Sequence, residues 1–355
     1  MERPQRIKIA LGAASAFLLL LLFFIVCFSR CRKSARKKSS EFRRFQYSEE
    51  LETEDLIGFP GGGENLTIHD ILEAPGEVVG NSSHGTLYKA GLQRSNSLVF
   101  LRFLRPSCAG QTNEILPSIQ MLGLIRHPNL VSLLAFYAGP RGEKLFVHPF
   151  FGFGNLFQFL QDGSSESHRW PIIYRISLGI AEGLDHLHTG LQKPIIHGNL
   201  MSKNVLLDSN YQSYLSDFGL HLLLNPTAGQ EMLEASADQG YKAPELIKMK
   251  EASKESDIYS LGVILLEMLT RKEPINDHSS SPLDHLPNYM RNAILDHRVT
   301  EMFNPQLLSP SNSQDWIAEK GLLMYFHLAM SCCSPSPSLR PNTKQIVRKL
   351  EEIGQ

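Results

Sequence analysis

Two short segments of this 355-residue chain carry side-chain oxygens that could hold a metal ion. Asn204 ends the run His197-Gly-Asn-Leu-Met-Ser-Lys-Asn204, and Asp217 lies within Ser216-Asp-Phe-Gly219. Amide and carboxylate oxygens are the hard donors that Mg²⁺ and similar cations take. Both residues are therefore candidate metal ligands. An open alternative is that they only hydrogen-bond and shape their loops.

These segments belong to an ordered series of landmarks. Arg126-His-Pro-Asn-Leu130 lies upstream, and Gly240-Tyr-Lys-Ala-Pro-Glu245, Ser256-Asp-Ile-Tyr-Ser-Leu-Gly262 and Leu339-Arg-Pro341 lie downstream. Such a series in this order is highly specific, although each motif alone would be weak. From about residue 70 to 352 the chain resembles a eukaryotic protein kinase, and most closely the cytosolic domain of plant leucine-rich-repeat receptor-like kinases. The resemblance implies an α+β, bilobal protein-kinase fold.

The resemblance assigns a phosphate-binding loop to Gly80-Asn-Ser-Ser-His-Gly85. Glycine lets backbone N–H groups approach a phosphate because it has no side chain. Gly80 and Gly85 match the family's G-x-G-x-x-G pattern, whereas Ser82 replaces the middle glycine and His84 stands near the tip. Leu87 matches the apolar residue that covers the adenine. We expect impaired phosphate binding here, and a plain hairpin is the alternative.

The next strand departs from the family at the lysine that holds the α- and β-phosphates. Val99-Phe-Leu-Arg102 puts Arg102 at this position, and its wide planar fork is not equivalent to a compact ammonium. Phe100 replaces the small residue beside the adenine, so its ring is expected to crowd the base. An ordinary buried core Phe is an alternative that is compatible with this role.

The glutamate that orients this lysine in the family is missing from its expected position. Counting back from His127, the resemblance places it on Ser118. Glu114 lies one helical turn away and is a candidate substitute, but Pro117 is expected to disturb the helix between them. We therefore expect the activating ion pair to be absent.

The catalytic loop has lost its chemistry. The resemblance places Asn199 at the general base and Met201 at the lysine that contacts the γ-phosphate. A carboxamide cannot accept the substrate's proton, and a thioether cannot neutralise a phosphate. With Arg102 also degenerate, no catalytic residue is intact. Asn204 and Asp217 survive at the two metal positions, which leaves weak binding of ATP with Mg²⁺ or Mn²⁺ open.

Residues that hold the family's fold are retained. Glu245 and Arg340 match the pair that ties the activation segment to the large lobe, and Asp257 matches the residue that pins the catalytic-loop backbone. Gly198, in contrast, replaces the arginine that clamps an activation-segment phosphate. The resemblance therefore implies a kept scaffold around a lost reaction.

The N-terminus has the pattern of a membrane anchor. No charged residue occurs from Ile9 to Phe28, and about twenty helical residues span the roughly 30 Å hydrocarbon core of a bilayer. A basic run at 30–38 follows in place of a cleavage site, which favours a spanning helix over a secretory signal and a cytosolic location for the rest. Cys27 and Cys31 are either palmitoylation sites or plain thiols.

The predicted organisation has four parts. A short extracytosolic N-terminus at 1–8 precedes the transmembrane helix at 9–29, a basic juxtamembrane linker at 30–65 and a kinase-like domain at 66–355. The small lobe extends to about 150 and the large lobe from 151 to 355. Strands are predicted at Thr86–Lys89, Leu98–Phe103, Leu130–Tyr137 and Lys144–Phe150, and helices at Trp170–His188, Asp257–Thr270 and Lys320–Ser331.

Charge and cysteine content exclude some classes of partner and scaffold. The 35 Lys and Arg residues nearly balance the 36 Asp and Glu residues, so nothing attracts nucleic acid to the chain as a whole. Five cysteines without metal or disulfide spacing are typical of a reducing compartment. The expected contacts are the lipid bilayer, through 9–28 and 30–38, and, by resemblance, other membrane receptor kinases or signalling proteins.

We interpret the chain as a membrane-anchored pseudokinase that acts as a protein-interaction or regulatory module in receptor-kinase-type signalling. Its C-terminal domain is expected in the cytosol, and the resemblance implies the plasma membrane. The alternative is an atypical but active Ser/Thr protein kinase that uses ATP. A shortened relative of a longer receptor, with the anchor kept and the sensor lost, is compatible with the first interpretation.

Overall fold

The computed structural model describes residues 56–162, 169–247, 249, 251–275, 285–307 and 315–354. The predicted N-terminus at 1–8, transmembrane helix at 9–29 and basic run at 30–38 lie outside these residues. Among the helices that the structure does describe, none is long and apolar enough to cross a bilayer.

A six-stranded antiparallel sheet forms the small lobe. Its residues are rich in β-branched and aromatic types, which suit a pleated surface. Each strand pairs with its neighbour in antiparallel register. In spatial order the strands are β1 (Leu56–Gly58), β5 (Ala135–Ala138), β6 (Lys144–Pro149), β4 (Ser97–Leu104), β3 (Gly85–Leu92) and β2 (Gly76–Asn81).

Strand β4 divides its side chains between two environments. Val99 and Leu101 are buried in the core of the sheet, whereas Phe100 and Arg102 line the cleft below it. Successive residues of a strand point to opposite faces, so this alternation follows directly from the sequence. Phe100 is therefore a cleft residue, and its place is fixed by the buried residues on either side.

The strand predictions are confirmed in part. Those at Thr86–Lys89, Leu98–Phe103 and Lys144–Phe150 coincide with β3, β4 and β6, but the fourth strand begins only at Ala135. The residues before it leave the sheet because Val131 donates its backbone N–H to the carbonyl of Leu215 in the large lobe.

Strand β1 lies within the segment predicted to be a linker. Its three residues pair with β5, so the sheet starts upstream of residue 66. Phe59 follows β1 and is 4% exposed. Its ring packs so closely on Gly123 that a Cβ there would overlap it.

The large lobe is mostly helical, as predicted. The sequence predicts helices at Trp170–His188, Asp257–Thr270 and Lys320–Ser331, and each overlaps an observed helix. The first observed helix is shorter than predicted, and the other two are longer. A short hairpin of β7 (Val205–Leu207) and β8 (Ser213–Leu215) carries the catalytic loop. Across both lobes the helices are α1 (Ile68–Leu72), α2 (Thr112–Gly123), α3 (Leu156–Gln161), α4 (Trp170–Asp185), α5 (Pro226–Asp238), α6 (Lys254–Thr270), α7 (Leu286–Leu295), α8 (Asp315–Cys332) and α9 (Thr343–Gly354).

Helix α6 is the centre of the large lobe. Every residue from Ser256 to Thr270 is buried, which is the pattern of a helix surrounded by protein. Its first turn is closed by a capping box in which Ser253 and Ser256 bond each other's backbone N–H groups. The cap places Asp257 under the catalytic loop, where it accepts the backbone N–H groups of His197 (2.7 Å) and Gly198 (2.9 Å).

A buried ion pair fastens the activation segment to the last helices. Both terminal nitrogens of Arg340 donate to Glu245, at 2.6 and 2.7 Å, and the Arg340 side chain is fully buried. Its Nε donates to the carbonyl of Ser334 at 2.9 Å. The guanidinium is therefore paired at both ends of its planar fork.

Replacing this arginine should destabilise the large lobe strongly. Arg340→Ala leaves the Glu245 carboxylate without its partner, and such a change to a buried pair costs about 3–5 kcal/mol. Arg348→Ala is the matched control, because Arg348 pairs with Glu352 at the surface, where a pair contributes about 0–1 kcal/mol. Urea unfolding of the full chain, followed by fluorescence, measures both. Equal midpoints for the two variants would contradict the assignment.

Candidate functional site

A cleft of about 840 Å³ lies between the sheet and the helical lobe. Its roof is the hairpin of β2 and β3 together with β4, and its floor is the catalytic loop and the Ser216–Gly219 segment. The structure brings all the predicted site residues to this one cleft: Gly80, Gly85, Leu87, Arg102, Asn199, Met201, Asn204 and Asp217.

An ion pair crosses the back of the cleft from roof to floor. Arg102 Nη2 lies 2.6 Å from Asp217 Oδ1, and the two side chains are 16% and 12% exposed. Asp217 adopts a left-handed backbone conformation (φ 64°), which turns its carboxylate toward the sheet. The candidate metal ligand is thus already bonded to the residue at the lysine position.

Helix α2 does not supply a partner for Arg102. Ser118 is half-buried on this helix and Glu114 is exposed, and within the described residues neither forms an ion pair with Arg102. The helix runs through Pro117 without interruption, so the expected disturbance there is wrong. The proline removes only the hydrogen bond to the exposed carbonyl of residue 113, which water can satisfy.

Two phenyl rings meet in the cleft, at the end where the resemblance predicts the adenine. The ring of Phe100 lies 4.9 Å from that of Phe150 in an edge-to-face arrangement. The ammonium of Lys89 stands 5.3 Å from the centre of the Phe150 ring and pairs with Glu77. Phe150 was missed from the sequence, yet the pairing of Phe100 with His148 in β6 brings it within reach.

Burial disfavours the charged forms of the two histidines that line the cleft, His84 and His148. His84 is 7% exposed, and its Nδ1 lacks a hydrogen-bond partner within the described residues. Burial, with a further contribution from the Arg102 guanidinium, lowers the pKa of His84. Burial also lowers the pKa of His148 to about 4. Neither imidazole can therefore replace the cation that a phosphate requires.

The catalytic loop is held in shape by its own polar groups. Asn204 Nδ2 donates to the carbonyl of Asn199 at 2.8 Å, and the backbone N–H of Asn199 donates to His197 Nδ1 at 3.3 Å. Asn199 and Met201 are both buried. Asn204 therefore braces the loop through its Nδ2, which is compatible with either of its predicted roles, and Asn199 stands at the position that the resemblance assigns to the base.

Helix α5 packs next to the catalytic loop and forms part of the wall of the cleft. Met232 and Ala235 of this helix line the cleft, and Gln239 just after it accepts a hydrogen bond from Lys203 at 3.1 Å. The apolar pattern of the sequence does not predict this helix. Its start was nevertheless signalled, because Asn225 caps it and Pro226 occupies its first position.

A kinase-shaped cleft with these landmarks defines the class of protein. The chain belongs to the protein kinase family, and the family's protein kinase domain matches residues 74–350. Its homologues are plant receptor-like kinases. The kinase-like protein TMKL1 of Arabidopsis thaliana is 38% identical over 330 residues, which cover 89% of this chain and 48% of that protein. The chain thus spans about half the length of TMKL1.

Two solved structures share the fold. The kinase domain of maize SIRK1, a sucrose-induced receptor kinase bound to AMP-PNP, matches with a TM-score of 0.73 and 30% identity, covering 85% of this chain and 100% of that one. The pseudokinase domain of BIR2, an immune regulator of the RLK/Pelle family, matches with a TM-score of 0.65 and 28% identity, covering 78% and 80%. Both support the bilobal architecture.

A buried carboxyl group joins the catalytic loop to the activation segment. Glu267 of α6 accepts hydrogen bonds from Tyr241 (2.7 Å) and Ser202 (3.0 Å). Burial raises the pKa of Glu267 to about 7, and the two hydroxyl donors only partly oppose this shift. The folded protein therefore keeps a proton that the unfolded chain releases near pH 4.5.

This retained proton predicts that the contribution of Glu267 to stability falls as pH rises from about 4.5 to about 7. The folded state binds more protons than the unfolded state in this window, and the loss is on the order of 3 kcal/mol. Glu267→Gln removes this contribution, so the melting temperature of the wild type should fall relative to that of the variant as pH rises from 5 to 7.5; buried histidines such as His148 titrate in both proteins and cancel in this difference. Glu301→Gln, at an exposed position, is the control. Parallel profiles for wild type and Glu267→Gln would contradict the raised pKa.

Proposed function

We propose that this chain is a membrane-anchored pseudokinase that acts as a protein-interaction or regulatory module in receptor-kinase-type signalling. Phosphotransfer is lost or very weak. The main support for this proposal is the 2.6 Å ion pair between Arg102 and Asp217. Each of these charged groups at the back of the cleft is already paired, so neither is free to bind a phosphate or a metal ion.

Phosphoryl transfer depends on positioned charges around the triphosphate and its metal ions. A metal ion at Asp217 must first displace the Arg102 guanidinium, and a phosphate at Arg102 must displace the Asp217 carboxylate. Asn199 cannot accept a proton from a substrate hydroxyl, and loss of a general base alone lowers a rate by about 10²–10⁴. Buried Met201 adds no charge at the γ-phosphate position.

A magnesium–ATP complex, which the family implies, does not fit the cleft in this arrangement. The rings of Phe100 and Phe150 stand in the adenine region, and the Arg102–Asp217 pair stands in the metal region. Weak binding of ATP with Mg²⁺ or Mn²⁺ requires both contacts to open. The alternative of an atypical active Ser/Thr kinase is favoured only by Asn204 and Asp217, which line the same cleft.

The membrane anchor and the partners remain parts of the proposal. The apolar segment at 9–28 and the basic run at 30–38 support a single-pass anchor with a cytosolic C-terminal domain at the plasma membrane. BIR2 is described as an immune regulator of the RLK/Pelle family, and its pseudokinase domain shares this fold. By that likeness the partners are other membrane receptor kinases or signalling proteins.

Nucleotide binding is the first test. The melting temperature of the full chain in detergent should not change with millimolar ATP and Mg²⁺ or Mn²⁺, whereas a ligand at 100 times its Kd adds about 2.7 kcal/mol. The double change Phe100→Ala with Arg102→Lys should produce a shift, because it opens the adenine region and the metal position. Phe153→Ala with Arg94→Lys, at exposed positions, is the control. A clear shift in wild type would contradict the closed cleft.

Restoring the catalytic loop alone should not restore activity. Asn199→Asp with Met201→Lys supplies a base and a cation. Arg102 is still paired with Asp217, however, and Phe100 still fills the adenine region. Transfer of radioactive phosphate from ATP to the chain or to a basic acceptor protein should stay at background. Addition of Phe100→Ala and Arg102→Lys to this pair is the comparison. Robust transfer by the first pair alone would show that the roof of the cleft imposes no block.

A further inference from the structure

The six residues Arg105–Gly110, which follow β4, contact both the phosphate loop and the start of the activation segment. We call this stretch the clasp segment. On one side it holds the phosphate loop. The Arg105 backbone N–H donates to the carbonyl of His84 at 3.0 Å, and its guanidinium donates to the carbonyl of Ser83 at 2.8 Å and to Asn81 Oδ1 at 3.4 Å.

On its other side the clasp segment holds the start of the activation segment. Asn225 donates its backbone N–H to the carbonyl of Cys108 at 2.8 Å and its Nδ2 to the carbonyl of Ser107 at 2.7 Å. The backbone N–H of Gly110 donates to the carbonyl of Leu223 at 3.0 Å. Asn225 also caps α5 through Oδ1, which accepts the N–H of Ala228 at 2.9 Å.

The clasp segment is itself a closed turn. The carbonyl of Arg105 accepts the backbone N–H groups of Cys108 (2.9 Å) and Ala109 (3.1 Å). Ala109 and Gly110 are buried, and a Cβ at Gly110 would lie 2.6 Å from Ile115 of α2. Because the turn is closed by its own hydrogen bonds and packed against α2, we expect it to move as a rigid unit. A displacement of Asn225 is then transmitted to Arg105.

We propose that the clasp segment couples the phosphate loop to helix α5, so that the two close and open together. In the closed state His84 is buried in the cleft and α5 covers the catalytic loop. A partner that draws α5 away weakens the bonds at Ser83 and His84, and displacement of the phosphate loop loosens α5 equally, because coupling between two sites is reciprocal. This coupling stands whether or not the cleft transfers phosphate.

Hydrogen exchange of the full chain in detergent, read by mass spectrometry, tests the first direction. Asn225→Asp keeps the helix cap, since Asp caps as well as Asn, but removes the Nδ2 donor to Ser107. Exchange in the peptide that covers 81–85, which Asn225 does not contact, should accelerate about five-fold or more, the lower end of typical site coupling. Asn342→Asp is the matched control, because Asn342 caps α9 far from the clasp segment.

The reverse direction uses the other end of the clasp segment. Arg105→Met keeps the apolar stem of the side chain and removes the donors to Ser83 and Asn81; exchange in α5 at 226–238 should accelerate by a similar factor. Arg94→Met, which breaks an exposed ion pair in the same lobe, is the control. Unchanged exchange at 81–85 in the first variant, or at 226–238 in the second, overturns the proposal. A rise throughout, including the amides of α6, also overturns it, because it indicates general loosening.

Discussion

The buried carboxylate of Asp257 is the interaction on which the rest of the large lobe depends. It is 2% exposed and accepts three donors: the backbone N–H groups of His197 and Gly198 and the ring of His188, at 2.7 to 2.9 Å. A charge taken out of water is tolerated only when it is paired and hydrogen-bonded. The first turn of α6 adds the favourable field of a helix N-terminus. The catalytic loop therefore keeps its course although Asn199 and Met201 have lost their chemistry.

The charged groups at the back of the cleft are paired with each other. Here Arg102 and Asp217 satisfy each other, and the flanking imidazoles of His84 and His148 are neutral because burial disfavours their charged forms. The long planar guanidinium reaches across a gap that is otherwise bridged by ligand and metal. Arg102 and Asp217 thus neutralise each other at the back of the cleft.

Much of this arrangement could be predicted from the sequence, and the failures have physical causes. A short run of apolar and aromatic residues predicted β4, and a long, largely apolar run predicted α6, because elements buried on most sides are apolar along most of their length. The residues lining the cleft followed from motif order. Helix α5 was missed because it is polar and carries Gly229, so tertiary packing and its cap decide its conformation. The Arg102–Asp217 pair and the contact of Phe150 join segments distant in sequence, and no local pattern reports them.

Strand β1 has a mechanical consequence. The chain before residue 56 joins the small lobe at an edge strand with only three paired residues, and Phe59 follows at once, wedged against Gly123 at the end of α2. A pulling force on the chain at residue 56 would therefore act first on this short strand and then on Phe59, whose ring contacts α2. Helix α2 also carries Ser118, so such a force would reach the position that the resemblance assigns to the ion-pairing glutamate.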